Sequence, residues 1–279
     1  MPEGVEVKLS AEVIKPLVKD KRVLSVSLGA NSRYKSQPPE GLNKFIEATC
    51  AEIIKVNDVQ TKGKFMYWTL SHDWHMFCTF GMSGQWSPNK GKHPCLGIFL
   101  GENHLTHPVE NIYFNDPRHF GTIKFTNNPK DLTDKIKELG WDPLQMLLSN
   151  NLPWITARLA RTKKPIAEVL MDQKIFAGVG NYIKCEGLYR AKLSPWRASP
   201  SLNNAEIQLL CQSIVDVMNE SYQHQGATIQ TYKTVYGEEG RYSTLFRVYG
   251  KKVDPNGNKI ISEITPDKRN THWCPIIQK

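Results

Sequence analysis

Apolar residues first recur at helical spacing. Val5, Leu9, Val13, Ile14 and Leu17 lie among charged neighbours and predict an amphipathic helix over 5–18, ended or kinked by Pro16. From about residue 22 the period drops to two. Leu24, Val26 and Leu28 alternate with Ser25, Ser27 and Gly29, and similar runs lie near 50–58, 64–70, 75–80, 97–106 and 111–125. Gly, Asn, Asp and Lys separate them. Short strands in series predict a sandwich or barrel, so this part reads as mostly β with one leading helix. Asn127-Asn128-Pro129 then opens a polar stretch with a short helix around 130–139, which Leu139-Gly140-Trp141-Asp142-Pro143 breaks. Beyond it the period is helical over 153–160, 165–172, 181–190 and 204–222, the last with Ile207, Leu210, Ile214, Val217 and Met218 on one face. Residues 226–241 are rich in Gly, Thr, Tyr and charge and predict a mobile loop. The tail over 246–278 predicts strand-like pieces around a hairpin signal, Asp254-Pro255-Asn256-Gly257. The pattern implies an α+β chain: a β-sandwich domain with a leading helix over 1–126, a linker over 127–150, and a helical domain with a terminal hairpin over 151–279.

Composition narrows the function classes. Hydrophobic residues make up 40% of the 279 positions, enough for real cores. The formal charge of +9 favours an anionic partner such as nucleic acid. No stretch approaches the roughly 20 apolar residues of a membrane span. Lys8, Glu12, Lys15 and Lys19 interrupt any signal-peptide core, so the expectation is an intracellular protein, not a secreted one. The six cysteines are scattered, with no paired C-x-x-C, and predict neither a disulfide framework nor a complete zinc site.

Candidate chemistry begins at Met1-Pro2-Glu3-Gly4-Val5-Glu6. Removal of Met1 leaves a secondary amine beside a carboxylate. An α-amino group is a weaker base than a lysine amine, so a useful fraction is neutral and nucleophilic near neutral pH. Its attack on a sugar aldehyde carbon gives an iminium, an electron sink. Pro2 and Glu3 would equally suit the first turn of an ordinary helix. A second signal is Phe176-Ala177-Gly178-Val179-Gly180-Asn181-Tyr182. Gly178 and Gly180 permit a tight turn and close backbone approach, and Asn181 reads as the N-cap of a helix whose free N–H groups suit a phosphate. An ordinary turn between packed helices is the plainer alternative.

Taken in order, these stretches resemble the Fpg/Nei family of DNA glycosylases. The resemblance rests on the N-terminal Pro-Glu-Gly, Lys62-Gly63-Lys64-Phe65, Gly81-Met82-Ser83-Gly84 and Asn115-Asp116-Pro117-Arg118-His119-Phe120-Gly121. It continues through the helix–two-turn–helix signature at 176–182, Ala191-Lys192-Leu193-Ser194-Pro195, Val248-Tyr249-Gly250 and Arg269-Asn270-Thr271. One match would be weak, but the ordered set spans nearly the whole chain. The resemblance implies a bifunctional DNA glycosylase and abasic-site lyase of base-excision repair, with no cofactor. Its partner would be double-stranded DNA carrying oxidised bases or abasic sites, bound by a monomer. In the implied roles, Pro2 attacks C1′ of the damaged nucleotide, Glu3 is the general acid–base, and Lys64 holds a phosphate near the lesion. Gly178, Gly180, Asn181 and Arg269 contact DNA. Met82, Arg118 and Phe120 fill the space left by the extruded base. Met82 and Phe120 could instead tuck into the core.

Departures from the family pattern are informative. Val5 stands where a proline is common, and His119 where a second arginine is. Of four zinc-binding cysteines only Cys274 remains, with Asn256 and Ile277 at other ligand positions. One thiol cannot build a tetrahedral zinc site, so the tail resembles the zincless finger of the endonuclease VIII-like branch. That branch implies oxidised pyrimidines as main substrates, with hydantoins and formamidopyrimidines. An 8-oxoguanine-preferring glycosylase, a non-catalytic damaged-DNA-binding module and an RNA-binding protein are the alternatives.

Overall fold

The computed structural model describes residues 2–101, 110–228 and 234–279. Contacts divide the chain into two units. One comprises residues 1–2, 6–137 and 227–240; the other comprises 3–5, 138–226 and 241–279.

The first unit holds most of α1 (Gly4–Val18), then β1 (Arg22–Leu28), α2 (Leu42–Ala51), β2 (Val56–Lys62), β3 (Phe65–Leu70) and β4 (His75–Thr79). It continues with β5 (Gln85–Ser87), β6 (Pro94–Gly101), β7 (Glu110–Asn115), β8 (Thr122–Thr126) and α3 (Pro129–Glu138). Two four-stranded antiparallel sheets, ordered β1-β6-β7-β5 and β2-β3-β4-β8, share one core. Trp68 of β3 and Trp86 of β5, both almost wholly buried, meet across it with ring centroids 5.2 Å apart. This burial of aromatic and aliphatic faces is what closes the two sheets on each other.

Several sequence expectations need correction here. The run near 50–58 is not one strand: α2 occupies its start, and β2 begins only at Val56. Leu42, Phe45 and Thr49 bury one face of α2. The helix follows Gly41 at φ 76°, with no side-chain cap to announce it. The run 111–125 is two strands, β7 and β8, with a loop between them. The run 97–106 is β6 as far as Gly101; 102–106 lie outside the described residues. Pro16 does not end α1 where it stands, since the helix continues to Val18.

The second unit contains α4 (Leu148–Arg161), α5 (Ile166–Met171), α6 (Asn181–Arg190), α7 (Asn204–Gln223) and the antiparallel pair β9 (Ile261–Ile264) and β10 (Asn270–Trp273). Helix α6 is the axis of this unit, with every residue from Tyr182 to Tyr189 buried. An Asn203–Glu206 capping box starts α7. The Asp254–Gly257 signal forms a turn closed by the isolated Val253–Lys259 bridge; the two-stranded hairpin lies further on, around 265–269. Of the loop expected over 226–241, residues 229–233 lie outside the described residues. Its flanks belong to the first unit: Ala227 N–H donates to Glu6 Oε1 at 2.9 Å, and Val235 joins the sandwich core.

Candidate active site

The first turn of α1 and the turns before α6 are built for each other. Gly4 N–H donates to Gly178 O at 2.9 Å, and a Cβ on Gly4 would lie 2.7 Å from Gly178 Cα. Gly178 itself has φ 94°, a conformation that glycine adopts without steric cost. The side chain of Gln173 spans the turn, accepting from Gly178 N–H and donating to Val179 O, both at 2.9 Å. This close approach carries Glu3 to the N-terminus of α6. Glu3 is 2% exposed, and its carboxylate accepts from Tyr182 N–H at 3.0 Å and Ile183 N–H at 3.4 Å. A buried anion at a helix N-terminus meets both unpaired N–H donors and the positive end of the helix dipole. Gly180 makes room for it, since a Cβ there would sit 2.1 Å from the Glu3 carboxyl carbon.

Two expectations change. The N-cap of α6 is Gly180, not Asn181, and the N–H groups read as a phosphate seat are occupied by the chain's own carboxylate. Asn181 instead reaches sideways. Its Nδ2 donates to Asn270 O at 2.9 Å. That bond places Asn181 beside the residue that follows Arg269, whose own side chain is exposed. Glu3, Gly178, Gly180, Asn181 and Arg269 thus all group with the second unit, four of them at one helix end.

In the first unit, Met82, Arg118 and Phe120 come together on two loops. Buried Asp116 organises both: its carboxylate accepts from Ser83 Oγ at 2.5 Å, Gly121 N–H at 2.6 Å and Arg118 N–H at 3.3 Å. A Cβ on Gly81 would lie 2.5 Å from the Phe120 carbonyl carbon, so the loop backbones touch. Arg33 clamps the far end, donating to Gly121 O at 2.6 Å. The three side chains face outward. Met82 is 36% and Phe120 59% exposed, and Arg118 Nη1 points at Met82 Sδ at 3.9 Å. Neither apolar side chain tucks into the core. Asp116 lies within the stretch 115–121, but nothing local to the sequence marks it as the loop anchor. Lys64 is half-buried in the two-residue turn joining β2 to β3, where Gly63 at φ 56° supplies the positive φ such a turn requires. Pro2 is buried and also groups with this unit.

At the C-terminal end, Asp254 is buried and accepts from Asn256 N–H, Asn258 N–H, Asn258 Nδ2 and Tyr189 Oη at 2.8–3.1 Å. Burial works against its charge, but the Asn258 side chain and N–H, the Asn256 N–H and the Tyr189 hydroxyl outweigh it and hold the carboxyl below its usual range. Cys274 is buried with Cys185, Tyr189, Val248 and Ile260 in a small apolar cluster, and burial pushes the Cys185 thiol up to about 12. Among the described residues no cluster of His, Cys, Asp or Glu is placed to hold a metal ion.

Three family models match the chain: the N-terminal domain of formamidopyrimidine-DNA glycosylase over residues 1–123, its H2TH domain over 139–233 and its C-terminal domain over 242–279. A formamidopyrimidine-DNA glycosylase of Listeria monocytogenes serotype 4b is 30% identical over 291 aligned positions, covering all of both chains. One from Zymomonas mobilis is 27% identical, again over the whole of both. Among solved structures, the MutM (Fpg) protein of Thermus thermophilus aligns with a TM-score of 0.82 at 26% identity, over 99% of this chain and 98% of that one. A Lactococcus lactis FPG mutant in complex with Fapy-dG-containing DNA shares the fold, with a TM-score of 0.86 at 21% identity over the whole of both chains.

Proposed function

Because the chain belongs to the formamidopyrimidine-DNA glycosylase family, whose members are DNA glycosylases and abasic-site lyases of base-excision repair, we propose that it removes oxidised bases through a Schiff base on Pro2. The observation that carries this reading is the seat of Glu3. A carboxylate bound to two backbone N–H groups, one peptide bond from the amine, is a pre-positioned acid–base, not a solvated surface charge. With Met1 removed, the Pro2 nitrogen forms a bond to C1′ as the bond from C1′ to the base breaks. Glu3 takes the proton that the Pro2 nitrogen loses and passes it to the opening sugar oxygen, and the base leaves with a proton taken from solvent. The resulting iminium draws electrons from the adjacent C2′–H bond. Loss of that proton expels the 3′ phosphate, and a second elimination expels the 5′ phosphate. Lys64 steadies a phosphate near the lesion.

Met82, Arg118 and Phe120 serve as the wedge, a reading supported by their exposure on one Asp116-anchored platform. Met and Phe fill the stack, and Arg118 donates to the orphaned partner base. Asn181 and Arg269 form the grip on the DNA backbone in the second unit, while Gly178 and Gly180, read from the sequence as DNA contacts, act by shaping the turn that seats Glu3. The C-terminal segment folds without zinc, since neither Asn256 nor Ile277 is a zinc ligand to join the Cys274 thiol, and Asp254 ties the turn that precedes the hairpin by hydrogen bonds. The enzyme works as a monomer wherever the cell keeps its DNA; no described helix is long and apolar enough to cross a membrane.

The main substrates are oxidised pyrimidines, such as thymine glycol and 5-hydroxyuracil, with hydantoins and formamidopyrimidines. The zincless tail and the complete wedge trio support that choice. The names of the relatives favour a second reading, a formamidopyrimidine and 8-oxoguanine preference. Side-by-side excision of thymine glycol and 8-oxoguanine separates the two. The chemistry itself is tested by borohydride trapping on duplex DNA carrying 5-hydroxyuracil, after mass spectrometry shows that Met1 is absent. A covalent complex lost in Pro2→Ala is expected. No complex from a protein with free Pro2, on an abasic site as well, overturns the enzyme reading in favour of a non-catalytic module.

A further inference from the structure

Lysine is almost never fully buried unless paired, yet Lys184, in the middle of α6, has no exposed side-chain surface. Its Nζ donates to Asp267 Oδ2 at 2.5 Å and to Thr271 Oγ1 at 2.8 Å. Asp267 lies in the turn between β9 and β10, where side chains ordinarily stand in water, but its side chain is only 2% exposed. Its other oxygen accepts from Thr265 Oγ1 at 2.5 Å, and Thr265 Oγ1 and Thr271 Oγ1 are themselves 2.5 Å apart. The turn closes on this cluster: Thr265 N–H donates to Arg269 O at 3.1 Å and Lys268 N–H to Thr265 O at 2.8 Å, with Lys268 at φ 59°. A second tether comes from the same helix. Asn181, three positions before Lys184 and so on the same face of α6, holds Asn270 O. Arg269 therefore sits between two residues, Asp267 and Asn270, that are each fastened to α6.

A buried ion pair adds little net stability over an apolar pair of the same volume, because desolvation offsets the attraction; its better-attested use is to fix a register. We propose that Lys184 and Asp267 are positioning residues for Arg269: their buried pair locks the β9–β10 turn onto α6 so that the arginine is presented to DNA in one fixed place. This rests on the reading of Arg269 as a backbone contact. It also means that one helix sets both the Glu3 carboxylate and the arginine, keeping the catalytic and gripping groups of this unit in register.

The test is a cycle of Asp267→Asn and Arg269→Ala, each alone and combined, measured on a duplex with an abasic-site analogue and in steady-state cleavage. Arg269→Ala is expected to weaken binding about tenfold and to lower the slope of log affinity against log salt by about 0.9, the value of one phosphate contact. Asp267→Asn is expected to reproduce the slope change and to raise KM, not lower kcat. Added to Arg269→Ala, it should cost less than about twofold more. Full retention of the salt slope in Asp267→Asn, or an undiminished penalty in the Arg269→Ala background, overturns the positioning role. If Arg269→Ala leaves affinity and slope intact, it is the backbone-contact reading that fails. Should Asp267→Asn not fold, the apolar pair Lys184→Met with Asp267→Leu carries the same measurements, since it leaves no charge unpaired.

Discussion

A methyl group on Gly180 has no place to go except into the Glu3 carboxylate. The backbone there is extended, at φ −129°, so alanine carries no conformational strain, and the whole effect of Gly180→Ala is to push the carboxylate off the α6 N–H groups. A shift near 1 Å in a catalytic group costs about 10²-fold in rate. Gly180→Ala should therefore lose about that much single-turnover cleavage, and its melting temperature should fall by at least a few degrees as the buried carboxylate gives up its N–H partners. Arg118→Ala belongs to the same scale: it should reduce discrimination between opposite bases more than general affinity, measured on duplexes differing only at the base facing the lesion. These residues were legible to different degrees. Pro2, Glu3, Gly178 and Gly180 stand out only as parts of an ordered set of motifs, because taken singly each suits an ordinary helix start or turn. The partnership of Glu3 with Tyr182, 179 positions away, leaves no local mark. Asn181 misleads for the opposite reason. Asparagine before a helix is a good cap by local rules, but here tertiary contact wins and its amide serves the Asn270 carbonyl.

At the level of elements, legibility followed how far each one depends on its own sequence. Helix α6 was expected over 181–190 and spans Asn181–Arg190, bounded by a glycine before it and Ala191 after. Helix α2 went unseen because Pro39-Glu40-Gly41 offers no side-chain cap and the apolar run that follows leads directly into a strand. Strand β3, buried at five of its six positions, shows no alternation because both its faces are covered. Two strands also carry a pH dependence. Burial lowers the pKa of His75 in β4; burial and then the Lys184 charge lower that of His272 in β10. Above the unfolded value of about 6.5 both states are neutral and nothing is lost. As pH falls from there through the lowered folded value, the unfolded chain takes up the proton first and stability declines. Denaturant melts at about pH 7.5 and about pH 5.5 should show this decline, and His272→Phe should make it shallower. An unchanged slope would mean that His272 is protonated as readily in the fold as outside it.

On the scale of the whole molecule, the net charge of +9 and the α+β order were plain in the sequence, but the grouping of residues was not. Residues 227–240 return to the first unit after the helices of the second, held by Glu6 and by Gln85, whose Nε2 donates to Thr234 O at 2.6 Å. No break in composition announces such a return, because it is made by partners more than a hundred positions away. The missing zinc ligands are a whole-chain property as well. Elemental analysis should find no stoichiometric zinc, and a strong chelator should leave the melting temperature unchanged; one zinc per chain would refute the zincless reading. The pairing of Gly4 with Gly178, and of Glu3 with α6, has one more consequence. Ribosomes add roughly 5–20 residues per second, so the start of the chain waits on the order of ten seconds for its partners to be made. During that interval Glu3 and Gly4 are without their partners, and no chain cut short before residue 183 can seat the Glu3 carboxylate. The opening residues are the first to be synthesised and among the last to be locked.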